Sequence, residues 1–249
     1  MMDTPCLILA GGFGTRLASI AGDRPKPMVE INGRPFLEYL VLQLRAQGFR
    51  DIVFCTGYRA QALEKHFEDG RRWSVSIRYS REPQPLGTGG ALKLAASAVA
   101  AREYLVTNGD SILEADLASL VRFHREKRAR ATMALAQVPD AARYGGVETA
   151  PDRRVKRFAE KGQSGPATIN GGIYVINREV LEGMPAGLSS IERDVFPSLD
   201  DLYARAFPGF FIDIGIPDDY LRLANHPEWL AGCLSPGMEG DGRLHVNTR

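Results

Sequence analysis

The feature that most limits how this chain can fold is its N-terminal apolar run, Cys6-Leu7-Ile8-Leu9-Ala10, ended at once by Gly11, Gly12 and Gly14. An unbroken apolar run of this length suits a strand buried on both faces, which is how parallel strands inside an α/β sheet read. Glycines directly after it let the backbone turn sharply and bring its N–H groups close to an anion. The same alternation continues downstream. Pro35 to Gln47 puts Phe36, Leu37, Leu40, Val41 and Leu44 on one helical face and stops at Gly48; Asp51 to Thr56 is a second buried strand. Tyr58 to Phe67 reads as a short amphipathic helix and Val75 to Ser80 as a third strand. Strands and helices at this spacing predict a doubly wound, mostly parallel α/β sheet covered on both faces.

A chain of 249 residues with 44% hydrophobic content can bury one substantial core. The net charge of +1 gives no reason to expect nucleic acid or a membrane surface as partner. No apolar run approaches the ~18 residues of a membrane span, and the residues before Cys6 lack the basic region of an export signal. Cys6, Cys55 and Cys233 have neither metal nor redox spacing, and the first two fall inside predicted strands. A reducing, cytoplasmic setting is the consistent expectation.

The glycine turn carries Thr15, a hydroxyl donor, and Arg16, a planar fork of donors suited to phosphate oxygens. Lys26 follows between Pro25 and Pro27, which fix φ on either side of a mobile point charge. A strand, a glycine loop and two separated cations make a polyphosphate site. Better-known phosphate motifs do not apply. The dinucleotide fingerprint would want glycine where Leu17 stands, and neither a Gly-Lys-Ser/Thr tripeptide nor the kinase set is present.

Residues 81–90, REPQPLGTGG, read as an irregular loop delivering the chain into a helix from Ala91 to Ala100. On residues alone this loop is either a cap or a ligand pocket. Glu103 to Asn108 is a fourth strand, ending in Gly109-Asp110-Ser111, so Asp110 faces the crevice where such sheets bind ligands and suits a divalent ion. A cap or turn is the bland alternative for Asp110. Asp116 to Arg130 is a helix with a basic end, taken as a solvated face. Ala131 to Val138 is followed by shorter pieces, Tyr144 to Thr149, Val155 to Glu160 and Thr168 to Ile176, which suggest a smaller, partly antiparallel subregion packed on the main sheet. Phe210 to Ile212 ends in Asp213, which would share a metal with Asp110 if its strand lies beside that ending at Asn108. A helix from Asp218 to Asn225 follows, and residues 232–249 read as a loose tail.

LAGGFGTRL followed by PKPM resembles the signature of the sugar-1-phosphate nucleotidylyltransferases. The likeness continues through VEINGRPFLEYL, EPQPLGTGGAL, VTNGDSI, RYGGV, FAEK, INGGIYV, SIERDVFP and FFIDIGIPDDY. Within that family these segments are most similar to the D-glycero-α-D-manno-heptose 1-phosphate guanylyltransferases. The resemblance implies one domain over residues 1–231, with a nucleotide-binding half over about 1–130 and a sugar-binding half over about 131–231. It places Leu9, Ala10, Gly11, Gly12, Gly14, Thr15, Arg16, Gln84, Gly87, Thr88 and Asp110 on the nucleotide. Lys26, Tyr144, Gly145, Glu160, Lys161, Asn170, Gly171 and Glu192 fall on the sugar-phosphate side, although on residues alone Glu160 and Lys161 read as a solvated pair. Arg16, Lys26 and Asp110 would carry catalysis, and Asp110 and Asp213 would hold Mg²⁺. Where the family often has tryptophan and Gly-Thr around the second acid, this chain has Phe211 and Gly215-Ile216.

The implied reaction is in-line attack by a sugar 1-phosphate on the α-phosphorus of a nucleoside triphosphate, releasing pyrophosphate. GTP and a manno-heptose 1-phosphate are the expected pair. Mannose, glucose or N-acetylmuramic acid 1-phosphates and uridine or cytidine triphosphates are alternatives. The expected partners are these small molecules, with neither nucleic acid nor membrane, and a homo-oligomer is allowed for. Two rivals remain: a catalytically silent nucleotide-sugar-binding regulator, disfavoured by the presence of Arg16, Lys26, Asp110 and Asp213, and a nicotinamide-dependent dehydrogenase, weakened by Leu17.

Overall fold

The computed structural model describes residues 2–12, 14, 17, 20, 22, 24–162 and 164–234. In chain order the strands are β1 (Cys6–Leu9), β2 (Glu30–Ile31), β3 (Arg34–Pro35), β4 (Asp51–Thr56), β5 (Ser76–Arg81), β6 (Glu103–Asn108) and β7 (Ser111–Leu113). They continue with β8 (Ala131–Val138), β9 (Val147–Thr149), β10 (Val155–Phe158), β11 (Ala167–Asn177), β12 (Leu202–Phe207) and β13 (Phe211–Asp213). The α-helices are α1 (Phe36–Ala46), α2 (Ala60–Phe67), α3 (Gly87–Ser97), α4 (Leu117–Lys127), α5 (Arg178–Gly183), α6 (Pro217–Asn225) and α7 (Ala231–Leu234).

A seven-stranded sheet in the order β12-β8-β11-β6-β1-β4-β5 forms the centre of the molecule. β1 pairs in parallel with both β4 and β6, so its apolar run lies between neighbours, as a strand without a polar face must. Its residues alternate between two cores. Cys6 and Ile8 pack with Phe36, Leu40, Phe54 and Phe67 on one face of the sheet. Leu7 packs with Leu92, Tyr104, Tyr174 and Leu181 on the other. This two-sided burial is the doubly wound arrangement the spacing predicts. Cys6 and Cys55 are buried free thiols whose pKa values burial raises, so neither is a reactive centre. No described helix is long and apolar enough to cross a membrane.

The structure corrects the sequence reading in four places. Thr168–Ile176 does not belong to a separate subregion: it lies within β11, inserted antiparallel between β6 and β8 in the main sheet. Of the short pieces expected there, only the β9–β10 pair stands apart from the main sheet, which the two halves of the chain share. Residues 81–90 are not wholly irregular, because α3 begins at Gly87 rather than Ala91. Its glycines are contact surfaces: a β-carbon at Gly90 would stand 2.4 Å from the Gly187 carbonyl oxygen, and one at Gly89 2.6 Å from Ser189 Oγ. β13 pairs with β7, Asp213 opposite Ser111, instead of lying beside β6. Ala231–Leu234 is helical and packs on α1, where the loose tail was expected to begin at 232; residues 235–249 lie outside the described residues.

Candidate active site

A cleft of about 860 Å³ opens at the carboxyl ends of the parallel strands, where crossover connections leave room for ligands. Leu9, Ala10, Gly11 and Gly12 line it from the end of β1, Asn108 and Asp110 from the end of β6, Glu82 and Gln84 from the passage between β5 and α3, and Gly87 and Thr88 from the first turn of α3. Lys26 and Glu192 also line it, with Tyr58, Arg81 and Leu188. Most of these residues meet because they follow strands of one sheet, while Lys26 and Glu192 arrive on a 3₁₀ turn and a π-helical turn. Thr15 and Arg16 lie outside the described residues.

Lys26 is delivered by a single 3₁₀ turn, Lys26–Met28, whose start is fixed by Pro25. Its ammonium stands 2.5 Å from Asp110 Oδ2 and 3.9 Å from Asp213 Oδ1. Two features permit that approach. A β-carbon at Gly215 would fall 2.4 Å from Lys26 Nζ, and one at Gly14 2.8 Å from Lys26 Cβ, so both glycines make room for this side chain. Asp213 is held by the Gly215 N–H, which donates to its Oδ1 at 2.6 Å. The two acids that sequence reasoning paired do converge, although through β7 instead of β6. They meet on Lys26, whose side chain is only 11% exposed, while their own side chains remain 34% and 29% exposed. A cation shielded from water beside open carboxylates is a site prepared for further ligands.

Another part of the wall is a hydrogen-bonded chain. Thr88 Oγ1 donates to Glu192 Oε2 at 2.9 Å and accepts from the Ile191 N–H at 2.9 Å. Ser190 Oγ donates to the same carboxylate oxygen. Tyr174, fully buried, donates to Glu192 Oε1 at 3.4 Å and accepts from Asn170 Nδ2 at 2.8 Å. Burial raises the Tyr174 phenol well above its ordinary pKa, so it stays a donor. Glu192 sits on a π-helical turn, Ile191–Val195, of the kind that re-aims a side chain at a functional site. Asn170 Oδ1 also accepts from the Gly172 N–H, which closes the bulge where β11 slips register between Asn170 and Ile173. Asn170 is therefore engaged in shaping the wall, with Gly171 packed under it against Leu113 and the Ala134 carbonyl.

The remaining sugar-side residues form a neighbouring group outside the cleft lining. Gly145, at φ +77°, lies against Ala159, Glu160 and Lys161, so the two loops are adjacent. Tyr144 is pinned by its hydroxyl, which donates to Asp219 Oδ2 at 3.3 Å, and by an edge contact with Phe211. Burial, then Asp219, pushes the Tyr144 pKa to about 12. Glu160 and Lys161 are exposed and make no side-chain hydrogen bond with the described residues.

Sequence reasoning missed Glu82. It follows the last residue of β5, its backbone N–H donates to the Thr56 carbonyl, and its Oε2 accepts from the Leu86 N–H at 2.7 Å. Burial raises its pKa, against the lowering effect of that hydrogen bond. The available signal was an acid at the carboxyl end of a parallel strand, the same one that singled out Asp110. Asn108 was missed likewise.

Comparison with known proteins gives one consistent neighbourhood. The family described as "Nucleotidyl transferase" matches residues 6–228. D-glycero-α-D-manno-heptose 1-phosphate guanylyltransferase of Aneurinibacillus thermoaerophilus is 39% identical over 223 residues, covering 87% of this chain and 95% of that protein. Mannose-1-phosphate guanylyltransferase of Mycobacterium tuberculosis is 37% identical over 223 residues, 87% of this chain, which spans only 62% of that longer relative. HddC from Yersinia pseudotuberculosis, solved in complex with GMP-PN, superposes with a TM-score of 0.82 at 34% identity, covering 89% of this chain and 98% of that one.

Proposed function

The chain belongs to the nucleotidyl transferase family, and from that premise we propose that it joins GTP to D-glycero-α-D-manno-heptose 1-phosphate, giving the GDP-sugar and pyrophosphate. It is a sugar-1-phosphate nucleotidylyltransferase. The observation that carries the active-site assignment is the meeting of Lys26 with Asp110 and Asp213 beside the glycine turn. The choice of guanine and heptose rests on similarity to heptose 1-phosphate guanylyltransferases of which this chain covers 95% and 97%. Mannose 1-phosphate is the second reading, from the guanylyltransferase relatives of comparable identity.

The sugar phosphate is already ionised at neutral pH, so no protein nucleophile is needed. Catalysis consists of aligning two polyanions and stabilising charge on the group in transfer. Lys26 supplies the cation nearest the reacting phosphorus, exchanging a carboxylate for the α-phosphate as the triphosphate enters. Amides of the glycine turn hold the remaining phosphates, with Arg16 assigned to the leaving pyrophosphate from sequence alone. Glu192, fixed by Thr88, Ser190 and Tyr174, bounds the cleft on the sugar side.

Among the described residues no cluster of three or more acidic, histidine or cysteine side chains could enclose a metal. Two carboxylates suffice for Mg²⁺ that keeps several waters and takes its other ligands from phosphate, so Asp110 and Asp213 fit that ion once the triphosphate is bound. When bound, Mg²⁺ would supply further neutralisation of the triphosphate charge.

Pyrophosphate release from four triphosphates against heptose, mannose and glucose 1-phosphates tests the reading. GTP with the heptose is expected to lead. Absence of release in every combination would defeat the assignment, and a preference for UTP would defeat its guanine part.

A further inference from the structure

The segment that supplies Asp213 is bonded to more of the site than its own carboxylate. After β13 the chain turns at Gly215 and enters α6, with Pro217 as the first helical residue and Asp219 in the first turn. The Ile214 N–H donates to the Asp110 carbonyl at 2.9 Å. Farther on, the Tyr220 hydroxyl donates at 3.0 Å to the carbonyl of Glu30, in β2, the strand that follows the Lys26 turn. The stretch from β13 into α6 is therefore fixed to both partners that Asp213 meets.

Asp219 joins that stretch to the loop before β9. Its side chain is only 4% exposed and accepts from three donors: the Tyr144 hydroxyl at 3.3 Å, Arg143 Nη2 at 3.2 Å and Arg222 Nη1 at 3.3 Å. A carboxylate this deep needs partners, and the first turn of a helix favours its charge. Arg222, on the same helix, already supplies a cation. Arg143 and Tyr144 come from a loop far away in the chain, so their bonds to Asp219 hold that loop against α6. Tyr144 is clamped on a second side, where its ring meets Phe211 of β13 edge-on at 5.7 Å. One loop residue thus touches both the strand that ends in Asp213 and the helix that follows it.

The held loop carries its neighbours with it. The Tyr144 and Gly145 N–H groups both donate to the Ala141 carbonyl, which folds the loop on itself. The Ala159 N–H donates to the Gly146 carbonyl and the Gly162 N–H to the Ala142 carbonyl, each at 2.8 Å, and Glu160 and Lys161 lie between these two bonds. Resting on the nucleotidylyltransferase reading above, with Tyr144, Glu160 and Lys161 on the sugar side, we propose that Asp219 is a positioning residue for the sugar phosphate. By fixing Tyr144, and through its loop Glu160 and Lys161, it keeps the sugar side in register with Lys26, Asp110 and Asp213. Asp219 is absent from the cleft lining and acts only through the loop it holds.

The test measures kcat and both KM values for wild type, Asp219→Ala, Asp219→Asn, Tyr144→Phe and the Asp219→Ala/Tyr144→Phe double variant, using the triphosphate and sugar 1-phosphate that wild type turns over best. Asp219→Ala is expected to raise the KM for the sugar phosphate by about tenfold, with the KM for the triphosphate within about twofold of wild type. Asp219→Asn, which still offers an acceptor to Tyr144, falls between the two. Tyr144→Phe keeps the ring on Phe211 and loses only the hydroxyl, so it tests the link even if Asp219→Ala does not fold; a rise of about threefold in the same KM is expected. The double variant should be no worse than Asp219→Ala, because both changes break one connection. A lowered melting temperature with both KM values unchanged, an equal rise in the two, or effects that multiply in the double variant would each overturn the proposal. Failure of the nucleotidylyltransferase reading is seen separately, in wild type, as no pyrophosphate release from any pair.

Discussion

The two edges of the central sheet carry the same kinds of residue to opposite ends. At the carboxyl edge of the parallel strands Lys26 pairs with Asp110 at 2.5 Å, beside Asp213. At the other edge Arg125 pairs with Glu103 at 2.7 Å, beside His124. The difference lies in what remains open. The Glu103 side chain is 7% exposed and its Oε1 takes hydrogen bonds from Arg125 Nε and Thr4 Oγ1. Both nitrogens of buried His124 are engaged, with Thr132 Oγ1 and Asn177 Oδ1. That network supplies its own partners, although it lines a second cavity of about 740 Å³, and it ties Thr4 and the start of β6 to α4. The Lys26 group has a shielded cation beside two acids whose side chains are 34% and 29% exposed, and it shares a cleft with Gly11 and Gly12. Burial with every partner supplied makes a joint; burial with partners left to a ligand makes a site.

The largest effect that could break this contrast is at Lys26 and Asp110. Replacing either with Ala is expected to lower kcat/KM by about three orders of magnitude, or about 4 kcal/mol of transition-state stabilisation, with the melting temperature nearly unchanged. Pyrophosphate release and thermal melting measured on the same samples check it. Activity lost only together with the fold would make the two edges alike.

The complementary change is Glu103→Ala. Removing one partner of this pair leaves Arg125 and Thr4 without their acceptor and is expected to destabilise by about 3 kcal/mol. Urea unfolding reads that loss, while kcat/KM of the folded enzyme stays within about twofold of wild type, since the network is distant from the phosphorus. A variant as stable as wild type would show that the network contributes nothing to the joint.

Much of the carboxyl edge was legible because its signals are local. An apolar run and glycines identify β1 and its turn; an acid closing an apolar strand identifies Asp110. The position of β11 was not legible, since periodicity shows that residues 168–176 form a strand but not which neighbours it takes. Nor was the start of α3. Glycine propensity argues against helix at 87–90, and only the packed loop at 187–189 shows why glycine is required there. Glu82 lay unrecognised because its environment is assembled by Leu86, Gly11 and Gly57, which only the folded chain brings together.

Thr88 belongs to both kinds of region and sharpens the contrast. Its hydroxyl satisfies the Ile191 N–H and orients Glu192, so it supports the fold and aims the cleft wall. Thr88→Val keeps the shape and removes both bonds. A destabilisation of about 1–2 kcal/mol is expected. The KM for the sugar phosphate should rise several-fold, with kcat little changed, because Glu192 loses one of its fixed partners. Steady-state kinetics with varied sugar phosphate distinguish this from a change at the phosphorus, where kcat would fall first.

The smallest expected effect is a pH dependence confined to the closed edge. Burial lowers the His124 pKa, as do the charges of Arg125 and Arg102, against the raising influence of Asn177 and Glu103. In the unfolded chain a histidine titrates near about 6.5. The unfolded state therefore takes up a proton first as pH falls, while the native imidazole stays neutral. Its contribution to stability is complete above that pH and declines below it, until the lowered native pKa is reached. The slope cannot exceed about 1.4 kcal/mol per pH unit for one proton. Urea midpoints between pH 7.5 and 5.5 should fall more steeply for wild type than for His124→Gln, whose amide can still meet Thr132 and Asn177. Equal slopes would mean that native His124 takes up its proton as readily as the unfolded chain does, and a shallower wild-type slope would mean that it is held as an ion by Glu103, 3.8 Å away; either would overturn the neutral assignment.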